Sequence, residues 1–257
     1  VAEPRSVPAA TNAVRLLRYL GAQRGPVTAA AVARELRLPR SSTYHLLAAL
    51  EAEGFVVHYP EERRYGIGVA AFELGSGYLR QAPLARLGAP VLGSLVDRLG
   101  ESAHIAVLQG RDVVYVLEER APHRPVLVSD VGVRLPSHVT ASGRAMLAEL
   151  DAPQIRALFP DRTVFAEGDD PRDPRGLRTV LAATRARGFA WEHEGVSAGL
   201  ASVALCVRDS TGWPVASIAV TFRTEDYAEE RWPELAERVR PFARELQRRV
   251  AGPATTG

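Results

Sequence analysis

The side chains with the greatest chemical reach here are a Ser137-His138 pair, further histidines at His104 and His193, and one cysteine, Cys206. Two segments are also rich in small hydroxyls, Arg40 to His45 and Thr140 to Gly143. Nucleophilic catalysis is the first chemistry to weigh. Adjacent residues rarely align as nucleophile and base, and no Gly-x-Ser-x-Gly turn is expected. Histidines this scattered, with one cysteine, give no zinc-ligand spacing. No Gly-rich phosphate loop of either common type occurs. Enzyme activity, a bound metal and a cofactor are therefore not expected.

The two hydroxyl-rich segments point to binding. Arginine and small hydroxyls are the groups that bond phosphates and base edges. Arg40, Ser41, Ser42, Tyr44 and His45 cluster in one stretch, and Arg63 and Arg64 follow in a charged turn. Thr140, Ala141, Ser142 and Gly143 suit another ligand. They follow a loop ending at Ser137-His138 and read as a helix start, whose first N–H groups lack internal partners and attract anions. Small side chains let a carboxylate approach that backbone. The simpler reading of Thr140 is a helix cap alone.

Positioning the first set requires a helix-turn-helix, in which the outer face of the second helix enters the major groove. Thr28 caps a helix over Ala29 to Leu36, and Pro39 opens another that runs to Glu53 and stops at Gly54. Val32, Leu36 and Leu38 face inward, and Ala33 is the small residue where the helices cross. Thr43, Leu46, Leu47 and Leu50 form a buried stripe, which leaves Arg40, Ser41, Ser42, Tyr44, His45 and Ala48 outside. Arg37 stands in the turn, where a positive φ favours glycine. An earlier helix is predicted from a Thr11 cap to about Gln23, on Val14, Leu16, Leu17 and Leu20. Phe55–Tyr59 and Arg64–Ile67 form a hairpin, a wing that carries Arg63 and Arg64 toward a DNA backbone. Periodicity leaves a second use open, a ligand-sensing protein whose winged helix binds protein. Salt-dependent duplex binding separates the two.

Beyond a predicted helix over 69–81 the pattern is mixed. Helices are expected over Leu84–Leu99, Thr140–Leu150, Ala152–Leu158, Leu177–Gly188 and Tyr227–Val250. Strands are expected over Ala103–Gln109, Val113–Glu119, Val126–Ser129, Ser202–Arg208 and Val215–Phe222. The 257 residues suffice for two domains. No apolar run approaches the roughly 20 residues that span a bilayer, and no basic patch leads into an apolar stretch, so a cytoplasmic location without membrane contact is expected. The net charge is only +2, but residues 1–80 carry ten arginines against seven acidic residues, and the remainder twenty-two against twenty-three. The basic excess sits in the first third, the sign a phosphate-binding module needs.

The sequence resembles the IclR-type transcriptional regulators. Thr28–Leu36, Leu38–Leu47, Leu50–Val56 and Arg64–Gly68 carry the likeness in the first part, and Gly132–Ala148 looks like the family's effector-domain signature. The resemblance runs from about Thr11 to about Val250. It implies an α/β (α+β) protein: a winged helix-turn-helix over 1–68, a linker helix over 69–82, and a GAF-like effector-binding domain over 83–257 with an antiparallel sheet flanked by helices. It implies a homodimer or tetramer on a pseudo-palindromic double-stranded DNA operator, more often as a repressor, controlled by a small organic acid. By the same resemblance Ala141 and Ser142 contact the effector through backbone amides, Glu192 is an acidic contact, and Ser202 a small polar one. Leu127, Leu135 and Met146 are then apolar walls. His45 stands where the family usually has arginine or a similar residue.

Overall fold

The computed structural model describes residues 7–74, 83–125, 127, 130–166 and 168–251. The chain divides into two compact units, residues 1–81 and 82–257.

In the first unit three helices, α1 (Pro8–Gly21), α2 (Ala29–Leu36) and α3 (Arg40–Ala52), pack with a small antiparallel sheet. Its strands are β1 (Val27–Thr28), β2 (Val56–Tyr59) and β3 (Arg64–Ile67), in the order β1-β3-β2. The α2 helix starts where Thr28 Oγ1 accepts the Ala31 N–H. It ends because Arg37 adopts φ +55° and the Leu38 N–H turns back to the Ala33 carbonyl at 2.9 Å. A left-handed arginine costs roughly 1–2 kcal/mol, which the packing of Leu16, Leu20, Val32, Leu36, Leu47, Val56 and Tyr65 into one core offsets. Two expectations are corrected. The first helix begins at Pro8, whose missing N–H is harmless in a first turn, so Thr11 is not its cap, and Val14 faces outward. The β1 strand, two residues long, is too short for periodicity to reveal. Residues 69–74 are helical; the rest of the helix predicted over 69–81 lies outside the described residues.

The second unit is built on a six-stranded sheet in the order β6-β5-β4-β9-β8-β7, with every neighbouring pair antiparallel. The strands are β4 (Ser102–Gln109), β5 (Asp112–Glu119), β6 (Arg134–Pro136), β7 (Ala190–His193), β8 (Leu200–Arg208) and β9 (Pro214–Arg223). One face carries Ala103, Ile105, Val203, Leu205, Ile218, Val220 and Phe222. It is covered by Val91, Leu92 and Leu95 of α4 (Pro83–Leu99) and by Leu235, Val239 and Leu246 of α8 (Trp232–Ala251). The other face meets α5 (Ala141–Leu147), whose Ala141 and Ala145 rest on Ala190, Ala204 and Ala219. Alanine on both sides brings helix and sheet close together. Two further helices, α6 (Ala152–Leu158) and α7 (Pro174–Arg187), close a satellite core of Leu147, Leu150, Ile155, Phe159, Leu177 and Leu181.

The α+β architecture with an antiparallel sheet flanked by helices is as expected, but several bounds move. The helix predicted over Thr140–Leu150 spans only Ala141–Leu147. The α7 helix starts at Pro174, where Asp173 caps the Gly176 N–H, and α8 starts at Trp232 after a short 3-10 turn. Of the strand predicted over Val126–Ser129, Leu127 alone is described; it is buried and lies in no strand. The edge strands β6 and β7 are short and were not anticipated.

Candidate DNA-reading face and effector pocket

The first unit presents one face of α3. Thr43 and Leu47 point into the core, and the Thr43 hydroxyl donates back to the Pro39 carbonyl at 3.1 Å. That rotation leaves Arg40, Ser41, Tyr44, His45 and Ala48 exposed, and Ser42 half-buried. Arg40 lies in the first turn of α3, beside the turn that Arg37 closes. The wing places Arg63 at a positive φ of 52° and exposed, whereas Arg64 donates to the Pro26 carbonyl at 3.0 Å. Arg64 thus ties the wing to the residue just before β1 as well as facing outward. His58 stacks on Tyr65 at 4.4 Å and stiffens the β2–β3 hairpin.

The second unit holds a narrow pocket between α5 and its face of the sheet, with an internal cavity of about 20 Å³ behind a mouth open to solvent. Leu127, Thr140, Ala141, Ser142, Glu192 and Ser202 all line it. Glu192 pairs in register with Ser202 on β8, and Ser202 pairs with Thr221 on β9, so three polar side chains form a row across adjacent strands. Ser202 and Thr221 share a hydroxyl–hydroxyl bond of 2.9 Å. Gly195 N–H donates to Glu192 Oε2 at 2.9 Å. Burial pushes the Glu192 carboxyl above its ordinary range, against the pull of hydrogen bonds from Ser202 and the backbone and of nearby Arg144.

Three site expectations are corrected. Gly143 is not small to admit a ligand: a Cβ there would sit 2.0 Å from the Ser137 carbonyl oxygen, so glycine is required for α5 to touch the preceding loop. Met146 is fully buried with Ala106, Val113 and Tyr115, and Leu135 packs against that cluster; neither lines the pocket. The helix-end anion site also shrinks, because α5 has only seven residues and Thr140 Oγ1 already accepts the Gly143 N–H at 3.0 Å.

His104, Tyr115, Val196, Ser197, Leu200 and Thr221 line the pocket without having been anticipated. His104 is fully buried, and burial drops its imidazole to about 4, so the ring is neutral. Its Nδ1 and the Ser142 hydroxyl are buried with no partner among the described residues. Arg144, the buried guanidinium nearest in sequence, does not serve the pocket. It donates to the carbonyls of His138, Trp191 and Asp170 at 2.8, 2.9 and 2.5 Å.

The groups weighed for catalysis are also accounted for. The Ser137 hydroxyl donates to the Arg111 carbonyl at 2.7 Å, and His138 Nε2 meets Asp169 at 2.6 Å between Phe159 and Phe165. The expectation of no Gly-x-Ser-x-Gly string is corrected: Gly195-Val196-Ser197-Ala198-Gly199 spells one, but it joins two antiparallel strands rather than a strand and a helix, so it forms no nucleophile elbow. Among the described residues no group of three or more His, Cys, Asp or Glu is placed to hold a metal ion, and no helix is long and apolar enough to cross a membrane.

Two family descriptions match the chain, the IclR helix-turn-helix domain over residues 9–60 and the bacterial transcriptional regulator IclR C-terminal domain over residues 76–248. The transcriptional repressor IclR of Escherichia coli is 28% identical over 239 residues, covering 92% of this chain and 87% of its own. The glycerol operon regulatory protein of Streptomyces coelicolor is 30% identical over 246 residues, covering 95% and 96%. Among solved structures, an IclR homolog from Microbacterium hydrocarbonoxydans complexed with 4-hydroxybenzoate superposes with a TM-score of 0.74 at 22% identity, covering 94% of this chain and 98% of that one. The helix-turn-helix, the six-stranded sheet and these matches along almost the whole chain agree: the protein belongs to the IclR family of bacterial transcriptional regulators, and it is a DNA-binding regulator rather than an enzyme.

Proposed function

We propose that this protein represses transcription by binding an operator through the exposed face of α3, and that a small organic acid in the α5 pocket controls that binding. The observation that carries the reading is the pairing, in one chain, of an outward α3 face with a separate pocket holding unpartnered polar atoms. Relatives named as repressors, and a homolog complexed with an organic acid, support it. Arg40, Ser41, Ser42, Tyr44 and His45 read bases and adjacent phosphates; Arg63 and the free side of Arg64 hold the backbone. A single winged helix contacts few base pairs, so two copies on a pseudo-palindrome, as a homodimer or a pair of dimers, supply specificity. Residues 69–82 serve as the linker between DNA-binding and effector-binding domains. A regulator of bacterial genes works in the cytoplasm.

The test is fluorescence anisotropy on an operator selected from genomic DNA. Arg40→Ala weakens specific binding by about 1–3 kcal/mol and non-specific binding less, while Arg63→Ala flattens the salt slope. The effector shifts wild-type affinity by about 5–150-fold, and Ala141→Trp, which fills the pocket, abolishes that response. A folded Arg40→Ala variant with unchanged operator affinity overturns the docking; an unchanged response in Ala141→Trp overturns the pocket.

A further inference from the structure

Among the described residues four that are not glycine hold left-handed backbones: Arg37, Arg63, His123 and Glu194, at φ of 55°, 52°, 66° and 55°. Such a backbone strains a side chain that carries a Cβ, least so in asparagine, aspartate and histidine, which accounts for His123. Glu194 has a local use, because its Oε1 accepts the Gly199 N–H at 3.0 Å in the turn between β7 and β8. The two arginines have neither explanation. Both are exposed, and among the described residues neither guanidinium has a hydrogen-bond or ion-pair partner. Arg64 shows the contrast, tied to the Pro26 carbonyl at 3.0 Å and 4.0 Å from Glu62. Strain that no local contact offsets points to a function.

The surroundings of Arg37 narrow that function. Its backbone is fixed by the 2.9 Å bond from the Leu38 N–H to the Ala33 carbonyl, and Leu38 packs against the core. Arg34 on α2 and Arg40 at the start of α3 are exposed on either side of it in the chain. Glu35, the one acidic residue of α2, is exposed and pairs with none of the three among the described residues. The turn is therefore a rigid, positively charged point between the two helices. In a docked helix-turn-helix the second helix enters the groove while the first crosses the sugar-phosphate backbone. A cation at the end of the first helix then meets phosphate rather than base edges, and a guanidinium forks onto phosphate oxygens.

We propose that Arg37 is a further DNA contact, binding a backbone phosphate from the turn of the helix-turn-helix as Arg63 does from the wing, and that both arginines keep strained backbones for that purpose. This rests on the docking of α3 set out above. It gives Arg37 a part in affinity for any duplex and none in choosing a sequence.

Fluorescence anisotropy of the full chain on a random-sequence duplex, over about 50–200 mM potassium chloride, tests the assignment. Arg37→Asn removes the charge and suits a left-handed backbone. It weakens binding about 5–10-fold per bound subunit at roughly 0.1 M salt and lowers the salt slope by about one. Arg37→Gly does the same, and both variants melt no lower than the wild type because the strain is relieved. Arg37→Lys keeps the charge and with it the slope. An unchanged slope in Arg37→Asn overturns the proposal. So does an Arg37→Lys slope as low as that of Arg37→Asn, since charge is then not what binds. A lower melting temperature in Arg37→Asn with unchanged duplex binding also overturns it, and assigns the arginine to the dipole at the C-terminal end of α2. If Arg63→Ala lowers the slope and Arg37→Asn does not, the docking stands and only this contact falls. If neither lowers it and Arg40→Ala binds the operator unchanged, the docking falls as well.

Discussion

The two faces of the six-stranded sheet are made by the same strands and do opposite work. Along β9, Ala216, Ile218, Val220 and Phe222 enter the apolar layer under α4 and α8, while Ser217, Ala219 and Thr221 alternate toward α5. Along β8 the split is Ala201, Val203, Leu205 and Val207 against Ser202, Ala204 and Cys206. One face is filled with branched and aromatic side chains. The other is lined with alanine beneath α5 and with polar groups beside it, and His104 and Ser217 on it keep buried polar atoms with no partner among the described residues. Period-two alternation lets one strand serve both tasks, because a substitution on one face leaves the other side of the pleat in place. The first face carries stability; if the proposed effector pocket is the binding site, the second gives some up for recognition, the usual exchange at binding sites.

The largest expected effect breaks that comparison if it fails. Phe222 is 1% exposed and packs edge-on against Tyr227 and Trp232. Phe222→Ala removes about 3–5 kcal/mol of stability, measured by urea unfolding, yet leaves ligand preference at the pocket unchanged wherever the variant is folded. A change in preference larger than the change in overall affinity shows that the two faces are coupled.

The pocket face has its own signature, in pH. The His104 imidazole titrates at about 4 when folded against 6.5 in a free chain. Between those values the unfolded chain binds the extra proton, so stability from this group is complete above pH 6.5 and is lost as pH falls toward 4. The span corresponds to up to about 3 kcal/mol. His104→Phe removes that slope, and the difference between wild-type and variant unfolding free energies, taken point by point from pH 7 to pH 4, isolates it. A difference that does not change with pH puts His104 in contact with water or an acid in the folded state.

Much of the first unit was legible because its signals are local. Thr28 as a cap, Gly54 as a stop at φ +72° and the inward stripe of Thr43 and Leu47 all follow from chemistry within a few residues. Arg37 could be flagged but not settled, since only the closing Ala33–Leu38 bond shows that the chain accepts the strain. The pocket was half legible. Thr140, Ala141 and Ser142 announce themselves as a helix start, and Glu192 and Ser202 came through family resemblance. Their register, and the arrival of Thr221 beside them, depend on pairings between distant segments. His104 was hidden for a different reason: β4 is buried on both faces, so its sequence shows no alternation to say which way each side chain points. The alternation in β9, with Ser217 and Thr221 out of phase with Ile218 and Phe222, was a usable signal. Gly143 was misread because a glycine that serves a ligand and one that serves a neighbouring carbonyl look alike in sequence.

The smallest expected effect is the sharpest, because its sign carries the information. Ser137 and Ser142 are both buried serines near the start of α5, five positions apart, but their hydroxyls differ. Ser137 donates to the Arg111 carbonyl at 2.7 Å, whereas Ser142 has no partner among the described residues. Replacing a satisfied buried hydroxyl by hydrogen loses a bond worth about 1 kcal/mol, so Ser137→Ala lowers stability by that amount. Replacing an unmatched hydroxyl removes a desolvated group at little cost in packing, so Ser142→Ala raises stability by about 1 kcal/mol. For a domain of this size that corresponds to a melting temperature about 2–4 °C higher. The two variants are compared by calorimetry without added ligand, then with a saturating organic acid that shifts operator affinity. Ligand adds less to the Ser142→Ala melting temperature than to that of the wild type, because the group that gains a partner on binding is gone. If Ser142→Ala instead destabilises the free protein as Ser137→Ala does, the hydroxyl is already satisfied by water, and the polar face gives up no stability at that position.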